Sequence, residues 1–558
     1  MTLPTATAAE RRHSPWLVLF VLCLGFFMIL LDTTIVNIAI PQMGDHLKAS
    51  LSDILWVINA YILIYAVLLI TAGRLGDLYG PKQLFMIGLV VFTGASAACG
   101  FAQSPAQLIV FRVIQGLGGA LLTPQTLSVL TMIFPSEKRG AAFGVWGAVA
   151  GVATLAGPLL GGWLVTDFGW RWIFFVNLPV GVIALVLAGI VMPNLRLNRR
   201  HRLDWAGTAL VTVALFLITF GLIEGQSHAW GKVWGPITIV EILIAGVVML
   251  GLFFVHQRAQ QRREPLVPFQ IFQDRNFSVM NVVAASIAFG MLGLFLPLTI
   301  FLQSVLELSA LQAALTLSPM ALISMVVAPL AGRAADRVGG KWILFVGLSL
   351  FSGGMGVLIA SSHVDTSRLD LLPGLIVAGF GLGMTFAPMQ AVAMRNVEPR
   401  MAGAASGMIN TTRQLGGVIG SAAVGAVLQA QISTHLKSAA AADAGQLPAQ
   451  YRAQVVDTLS HVASGSQDIA GGQIAPHLPA GIPDQVRAQL DTFFTLVFQQ
   501  GFVGAMRATL WLPIAVMGCA ALAVMLVRGR SDRRSRTERN EPESPPAPPL
   551  GSAPPAPE

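Results

Sequence analysis

The chain has 558 residues, of which 54% are hydrophobic and only 11% charged, less than half the ~25% charge usual in soluble globular proteins. That balance excludes a soluble enzyme or binding domain and places the chain in a bilayer. A formal net charge of +8 would point to nucleic acid in a soluble protein, but here the basic residues are read loop by loop and no nucleic acid is expected. Cys23, Cys99 and Cys519 fall in apolar segments without paired or metal-ligand spacing and read as core residues.

Residues 1–15, with Arg11 and Arg12, form a short N-terminus. The apolar run that starts at Trp16 continues to Ile40, past the ~7–15 residues of a signal core and without a small-x-small cleavage site, so it reads as a retained first span. Further spans of about 20 apolar residues follow near 54–72, 83–102, 106–127, 141–165 and 172–192, completing a six-helix N-terminal bundle over 16–192. After the basic stretch 196–202 come two spans near 205–224 and 235–255, a linker pair covering 205–255. Beyond the connection 256–275, spans near 277–302, 309–331, 342–361, 371–394, 402–430 and 503–527 make a C-terminal bundle over 277–527. The total is about fourteen. The stretch 431–500 is the longest external connection, a lid or a passive loop, in which 451–462 and 483–496 read as amphipathic helices. The tail 528–558 is arginine-rich, then Pro/Ala/Ser-rich, and is expected to be disordered.

Residues 73–82 read Gly-Arg-Leu-Gly-Asp-Leu-Tyr-Gly-Pro-Lys, and 332–341 read Gly-Arg-Ala-Ala-Asp-Arg-Val-Gly-Gly-Lys. Both are placed in short connections, after the second and the tenth span. Glycine tolerates positive φ and close backbone approach, and an aspartate there is suited to a neighbouring helix N-terminus. A single copy reads equally well as a tight turn; two copies at matching places imply duplication. Gly73, Asp77, Gly80 and Lys82, with Gly332, Asp336, Arg337 and Lys341, are therefore the candidate latch. A second echo pairs Gly116-Leu117-Gly118 and Pro124-Gln125 with Gly381-Leu382-Gly383, Pro388 and Gln390. The architecture expected is all-α, two six-helix repeats plus two inserted spans, which suits alternating access around a midplane site. Most of the 35 Lys and Arg, including Arg74, Lys82, Lys138, Arg139, Arg333, Lys341, Arg395 and the tail arginines, fall on the side of both termini. By the positive-inside rule that side is cytoplasmic, in the cytoplasmic membrane.

No phosphate loop, HExxH, CxxC or GxSxG pattern is present, so no enzyme, metal or cofactor is expected. Charges at depth carry the chemistry instead, since each costs at least ~2.5–3.5 kcal/mol and marks a pathway or relay. Asp32 lies about 13 Å from the external Pro41 and Arg112 about 9 Å from Ala106 at 1.5 Å rise per residue, similar depths. They form either a proton-coupling pair or a fixed ion pair. Arg413, near mid-membrane, is expected to face a cavity, whereas Glu224 and Glu241 lie near outer ends, within snorkelling reach. Gly157, Pro158, Gly161 and Gly162 in span five make a hinge or a tight seal. Met291, Phe295, Met384, Phe386 and Met389, with Asn37, Gln115 and Arg413, are the candidate wall of a plastic drug cavity, though such apolar side chains also simply pack.

Together these residues resemble the major facilitator superfamily, and within it the fourteen-span drug:proton antiporters. Leu31-Asp32-Thr33-Thr34-Ile35-Val36-Asn37-Ile38-Ala39-Ile40-Pro41 matches that family's span-one motif, and 73–82 is similar to its cytoplasmic latch, with Leu78 and Pro81 where basic residues are usual. Arg112 with 115–119 resembles the span-four motif, and Ala153 with 157–162 the antiporter motif, alanine replacing its first glycine. Trp170-Arg171-Trp172 through Asn177-Leu178-Pro179 resembles the span-six entry. The resemblance implies multidrug efflux in exchange for protons, with Arg112 in proton coupling. The acid that dication exporters carry in span ten is absent from 309–331. Expected partners are a lipophilic small molecule, protons and the lipid bilayer; an exporter dedicated to one metabolite, lipid or antibiotic, or a membrane sensor or scaffold, are the alternatives.

Overall fold

In the computed structural model the described residues are 14–195, 203–225, 227–228, 230–263, 265–443 and 484–528. Residues 1–13 of the N-terminus, the stretch 451–462 and nearly all of the 528–558 tail lie outside them. Apolar length makes the helices, and local chemistry sets their ends. Prolines occupy the first turns of α1 (Pro15–Leu47), α3 (Pro81–Gly100) and α4 (Pro105–Ile133), where the missing N–H has no helical partner to lose. Ser50 and Asp53 form a capping box on α2 (Leu51–Tyr79). The first half is completed by α5 (Arg139–Asp167), the four-residue α6 (Trp172–Phe175) and α7 (Asn177–Val191). Next come α8 (Trp205–Glu224), α9 (Ile239–Gln260) and the short α10 (Gln270–Gln273). The second half holds α11 (Arg275–Ile300), extended by a π turn over Phe301–Val305, then α12 (Ala310–Val338), α13 (Gly340–Ser361), α14 (Leu372–Gly383), α15 (Phe386–Ala393), α16 (Ala402–Asp443) and α17 (Asp484–Val524). Fourteen helical stretches among the described residues are long and apolar enough to cross a membrane.

Three expectations are corrected. The repeated motifs are not connections: α2 remains helical through Tyr79 and α12 through Val338. Only one residue breaks each helix, Gly80 at φ 94° and Gly339 at φ 89°, a conformation open to glycine. Second, the span expected near 235–255 begins at Ile239. Before it, β1 (Lys232–Trp234) and β2 (Ile237–Thr238) pair antiparallel, with Lys232 opposite Thr238 and Trp234 opposite Ile237. Gly235 at φ 56° and Pro236 make the turn, and β-branched Val233 and Ile237 flank it. Third, the stretch 431–500 is not a loop throughout: 431–443 continues α16, and the helix expected over 483–496 is present from Asp484 but runs on without a break to Val524. The 42 residues of α16 reach about 63 Å at 1.5 Å per residue, twice the ~30 Å hydrocarbon thickness, so α16 projects past the bilayer.

Within the first half α3 packs on α4, α2 on α4 and α1 on α5; within the second α11 packs on α16, α13 on α14 and α16 on α17. The halves meet along two seams, α5 against α12 and α2 against α16. The inserted α8 and α9 pair with one another, and α8 lies on α2, with Trp56 and Phe220 5.9 Å apart. Outward faces such as Val182, Ile183, Val186 and Ile190 stay exposed, the lipid-facing surface of such a chain.

Candidate functional site

Two sets of polar contacts stand out in this apolar frame. The first surrounds Asp32 on α1. The Arg112 guanidinium on α4 pairs with its carboxylate, with side-chain exposures of 1% and 0%. Gln115, one turn along α4, donates to the other carboxylate oxygen at 2.8 Å and accepts from Arg112 at 2.8 Å. Arg112 Nε donates to the Val57 carbonyl of α2 at 3.0 Å, and its guanidinium lies 4.3 Å from the Tyr61 ring centroid. Asn177 at the start of α7 reaches Asp32 at 3.5 Å and Ser96 of α3 at 3.1 Å. Five helices thus converge on one carboxylate. Removing one partner of a buried ion pair leaves an uncompensated charge, a loss of about 3–5 kcal/mol. Arg112 is insured against this: the Val57 and Gln115 carbonyls and the Tyr61 face remain if Asp32 is neutralised.

α1 is seated on α5 beside this cluster. A Cβ at Gly157 would collide with Thr34, and one at Gly161 would come within 2.9 Å of Ile35. Thr34 donates to the Ala153 carbonyl at 3.4 Å. Pro158 lies inside α5, and Gly162 meets nothing within 4 Å, so only Gly157 and Gly161 of the expected hinge set are needed for close approach.

The second set crosses between the halves. Asp77, near the end of α2, accepts from Gly403 N–H at 2.8 Å and Ala404 N–H at 2.9 Å, in the first turn of α16. Asp336, on α12, accepts from Gly140 N–H at 2.7 Å and Ala141 N–H at 2.8 Å, in the first turn of α5. Each carboxylate satisfies two orphan donors where the helix dipole favours an anion. Close approach makes this possible: Cβ atoms at Gly73 and Gly332 would strike the carbonyl oxygens of Gly403 and Gly140. A third tie is asymmetric. Arg139 donates to Thr131 and Phe134 carbonyls at 2.7 and 3.1 Å within its own half and to the Met394 carbonyl of the other at 3.3 Å.

Other candidates fall elsewhere. Lys82 donates to Gly189 and Met192 carbonyls at 2.9 and 2.7 Å, and Lys341 to the Met525 carbonyl at 2.8 Å, so both lysines cap the last helix of their own half rather than bridging the seam. Arg337 is exposed. Gln115 and Met389, expected in a cavity wall, are fully buried, Gln115 because Asp32 and Arg112 claim its amide. Met384 packs on Gly347 of α13 and Phe386 on Gly147 of α5. Met291 and Phe295 are partly buried against the main core. Asn37 is exposed and donates to the Thr33 carbonyl at 3.2 Å; Arg413 is half-buried. The sequence reading does not find the donor helices of the two aspartates, although their signal is in the chain: Gly140-Ala141-Ala142-Phe143-Gly144 returns as Gly403-Ala404-Ala405-Ser406-Gly407.

The Major Facilitator Superfamily model matches residues 22–421. The chain belongs to the major facilitator superfamily. Over 77% of its length and 73% of the relative's, it is 43% identical to an uncharacterised MFS-type transporter of Mycobacterium tuberculosis. It is 36% identical to the tetracenomycin C resistance and export protein of Streptomyces glaucescens, covering 76% of this chain and 78% of that one. With multidrug resistance protein 3 of Bacillus subtilis the identity is 31%, over 75% and 81%. Among solved structures, the human organic anion transporter MFSD10 superposes with a TM-score of 0.54 at 14% identity, covering 91% of this chain and all (100%) of that one. The proton:xylose symporter XylE gives 0.53 at 14%, over 73% and 87%. At such identities the structures show the fold alone. As a family member the protein is a multi-pass membrane transporter, with relatives named for multidrug resistance and antibiotic export.

Proposed function

We propose that this protein exports amphipathic drugs or toxic metabolites across the cytoplasmic membrane in exchange for protons, by alternating access. The observation that carries the reading is a sealed carboxylate, Asp32, paired to a cation with replacement partners. Such a carboxylate can take a proton without stranding Arg112. Neutralising Asp32 weakens the hold of α4 on α1. Because α1 sits on α5 through Gly157 and Gly161, the change reaches the α5 N-terminus held by Asp336, about 25 Å away along one helix. Asp77 and Asp336 act as latches between two rocking halves.

The Lys and Arg distribution supports placing the latch end, and both termini, in the cytoplasm. With both latches made, the structure then represents the state closed to the cytoplasm. Energetically the exchange is feasible: a proton entering gains about 2.3 kcal/mol per 100 mV, against about 1.4 kcal/mol for each tenfold solute gradient. The relative named for tetracenomycin C export favours, as a second reading, an exporter dedicated to one metabolite or antibiotic. In weakly buffered detergent solution, binding of an amphipathic dye should release protons from the wild type and none from Asp32→Asn. Equal release from both would remove Asp32 from the exchange.

A further inference from the structure

Each acid within the described spans has a partner of its own except Asp167, which is exposed at the last residue of α5. Asp32 has Arg112, Asp77 and Asp336 have helix N-termini, Glu224 has Ser227 and His228, and Glu241 caps Thr238. Among the cations, Arg112 is paired and Arg507 donates to the Ile359 carbonyl at 2.9 Å, while Arg74 and Arg333, which make no hydrogen bond or ion pair among the described residues, lie near the latch ends of α2 and α12, Arg74 beside the Asp77 charge. Arg413 differs. It is half-buried on α16, and among the described residues it makes no hydrogen bond or ion pair.

Its direction follows from its neighbours on the same helix. Gly403 and Gly407 pack on α2, Ser406 donates to the Pro124 carbonyl of α4 at 2.9 Å, and Gly416 and Gly420 pack on Ala285 and Phe289 of α11. At 100° per residue Arg413 lies between the Ser406 and Gly420 directions, turned to the space bounded by α4 of one half and α11 of the other. It is two turns from Ser406, about 10 Å further from the latch end. Uncharged groups surround it in sequence: Thr412 donates to Asn281 of α11 at 3.2 Å, while the buried Asn410 carbonyl and Thr411 hydroxyl lack partners.

We propose that Arg413 is the binding group for an anionic amphiphile, a sulfonate, carboxylate or acidic phenol on an apolar ring system, and that this is the substrate class exported. The proposal rests on the proton-coupled reading above. An unpaired guanidinium at membrane depth is costly, a carboxylate or sulfonate supplies the bidentate partner its fork is shaped for, and the one acid of the described spans without a partner, Asp167, sits exposed at the end of α5 away from the latch. Exporting an anion also adds to the driving force. An anion leaving as a proton enters moves two positive charge equivalents inward, whereas a monocation exchanged for a proton moves none.

The test uses two probes of one ring system with permanent charges, naphthalene monosulfonate and naphthyl trimethylammonium, with the reconstituted full-length protein. Under an imposed pH gradient the wild type should transport the sulfonate with a measurable current, and Arg413→Gln should raise its half-saturating concentration about ten- to a hundredfold, the loss of one charged hydrogen-bonded contact. Arg413→Lys, which keeps the charge without the fork, should recover part of the loss, and matched thermal unfolding separates this from misfolding. Transport of the ammonium probe but not the sulfonate, or an unchanged sulfonate affinity in Arg413→Gln, overturns the anion assignment and leaves proton coupling standing. Movement of both probes indifferent to the pH gradient overturns the proton-coupled reading while the Arg413 comparison still decides the anion site; movement of neither overturns both.

Discussion

Asp336→Asn is the sharpest perturbation of the seam between the halves. The wild-type carboxylate accepts two backbone N–H groups, from Gly140 and Ala141 at 2.7 and 2.8 Å. An asparagine offers one oxygen, so one charge-assisted bond of about 1.5–3 kcal/mol is lost and its donor is left facing an amide NH2. Loss of the negative charge at the α5 N-terminus adds about 0.3–1 kcal/mol. The closed state should therefore lose about 2–4 kcal/mol, a factor of roughly thirty to a thousand in the closed-to-open ratio. Asp77→Asn, which removes the corresponding pair to Gly403 and Ala404, should act similarly. Distances between spin labels on the latch ends of α5 and α12 report the populations directly. A double variant should lower the free energy of closure by about the sum of the single effects, and so change the ratio by about the product of the single factors, because the two contacts share no residue. Distance distributions unchanged in both single variants and in the double variant would refute the latch reasoning.

Gly332→Ala puts a methyl group onto the Gly140 carbonyl, so the seam must part; overpacking of about 1–3 kcal/mol should appear as a lower melting temperature with crossing distances shifted outward, and a wild-type melt would count against the close-packed seam. Asp204, the N-cap of α8, accepts from Gly207 N–H at 2.9 Å, His256 at 3.0 Å and Gln257 at 2.7 Å. Burial opposes its charge, but these bonds outweigh burial and hold the carboxyl below the usual carboxylate range. A depressed carboxyl contributes stability that is fully present above its unfolded value, about 3.9, and is lost as pH falls through the folded value. The melting-temperature gap between wild type and Asp204→Asn should thus be constant from neutral pH to about pH 5 and shrink below about pH 4; a gap that persists through strong acid would contradict it.

The fourteen spans were legible because apolar length is a one-dimensional property, and the duplication because the 73–82 and 332–341 motifs survive in both halves. Helix ends were less legible. Nothing in the apolar count shows that α2 runs on through Gly73, Gly76 and Asp77, since packing of those glycines on α16 and α4 offsets their low helix propensity. The pairing of Asp32 with Arg112 followed from matched depth, whereas Gln115 was assigned to a cavity because its distance from Asp32 depends on the rotation of α1 against α4. Proximity in sequence groups Lys82 and Lys341 with the aspartates, but each side chain reaches the end of the last helix of its own half instead. The Val57 carbonyl and Tyr61 ring at Arg112 carry no sequence signal, being set by how α2 packs on α4.

Proton-coupled transport through Asp32 is open to direct test. Purified protein in liposomes made acidic inside, compared with Asp32→Asn at equal reconstitution, tests it by uptake of the naphthyl probes against protein-free vesicles. Uptake by the wild type should depend on the gradient, collapse when a protonophore removes it and be absent in Asp32→Asn, with both proteins melting alike. Gradient-driven uptake by Asp32→Asn at the wild-type rate would contradict it.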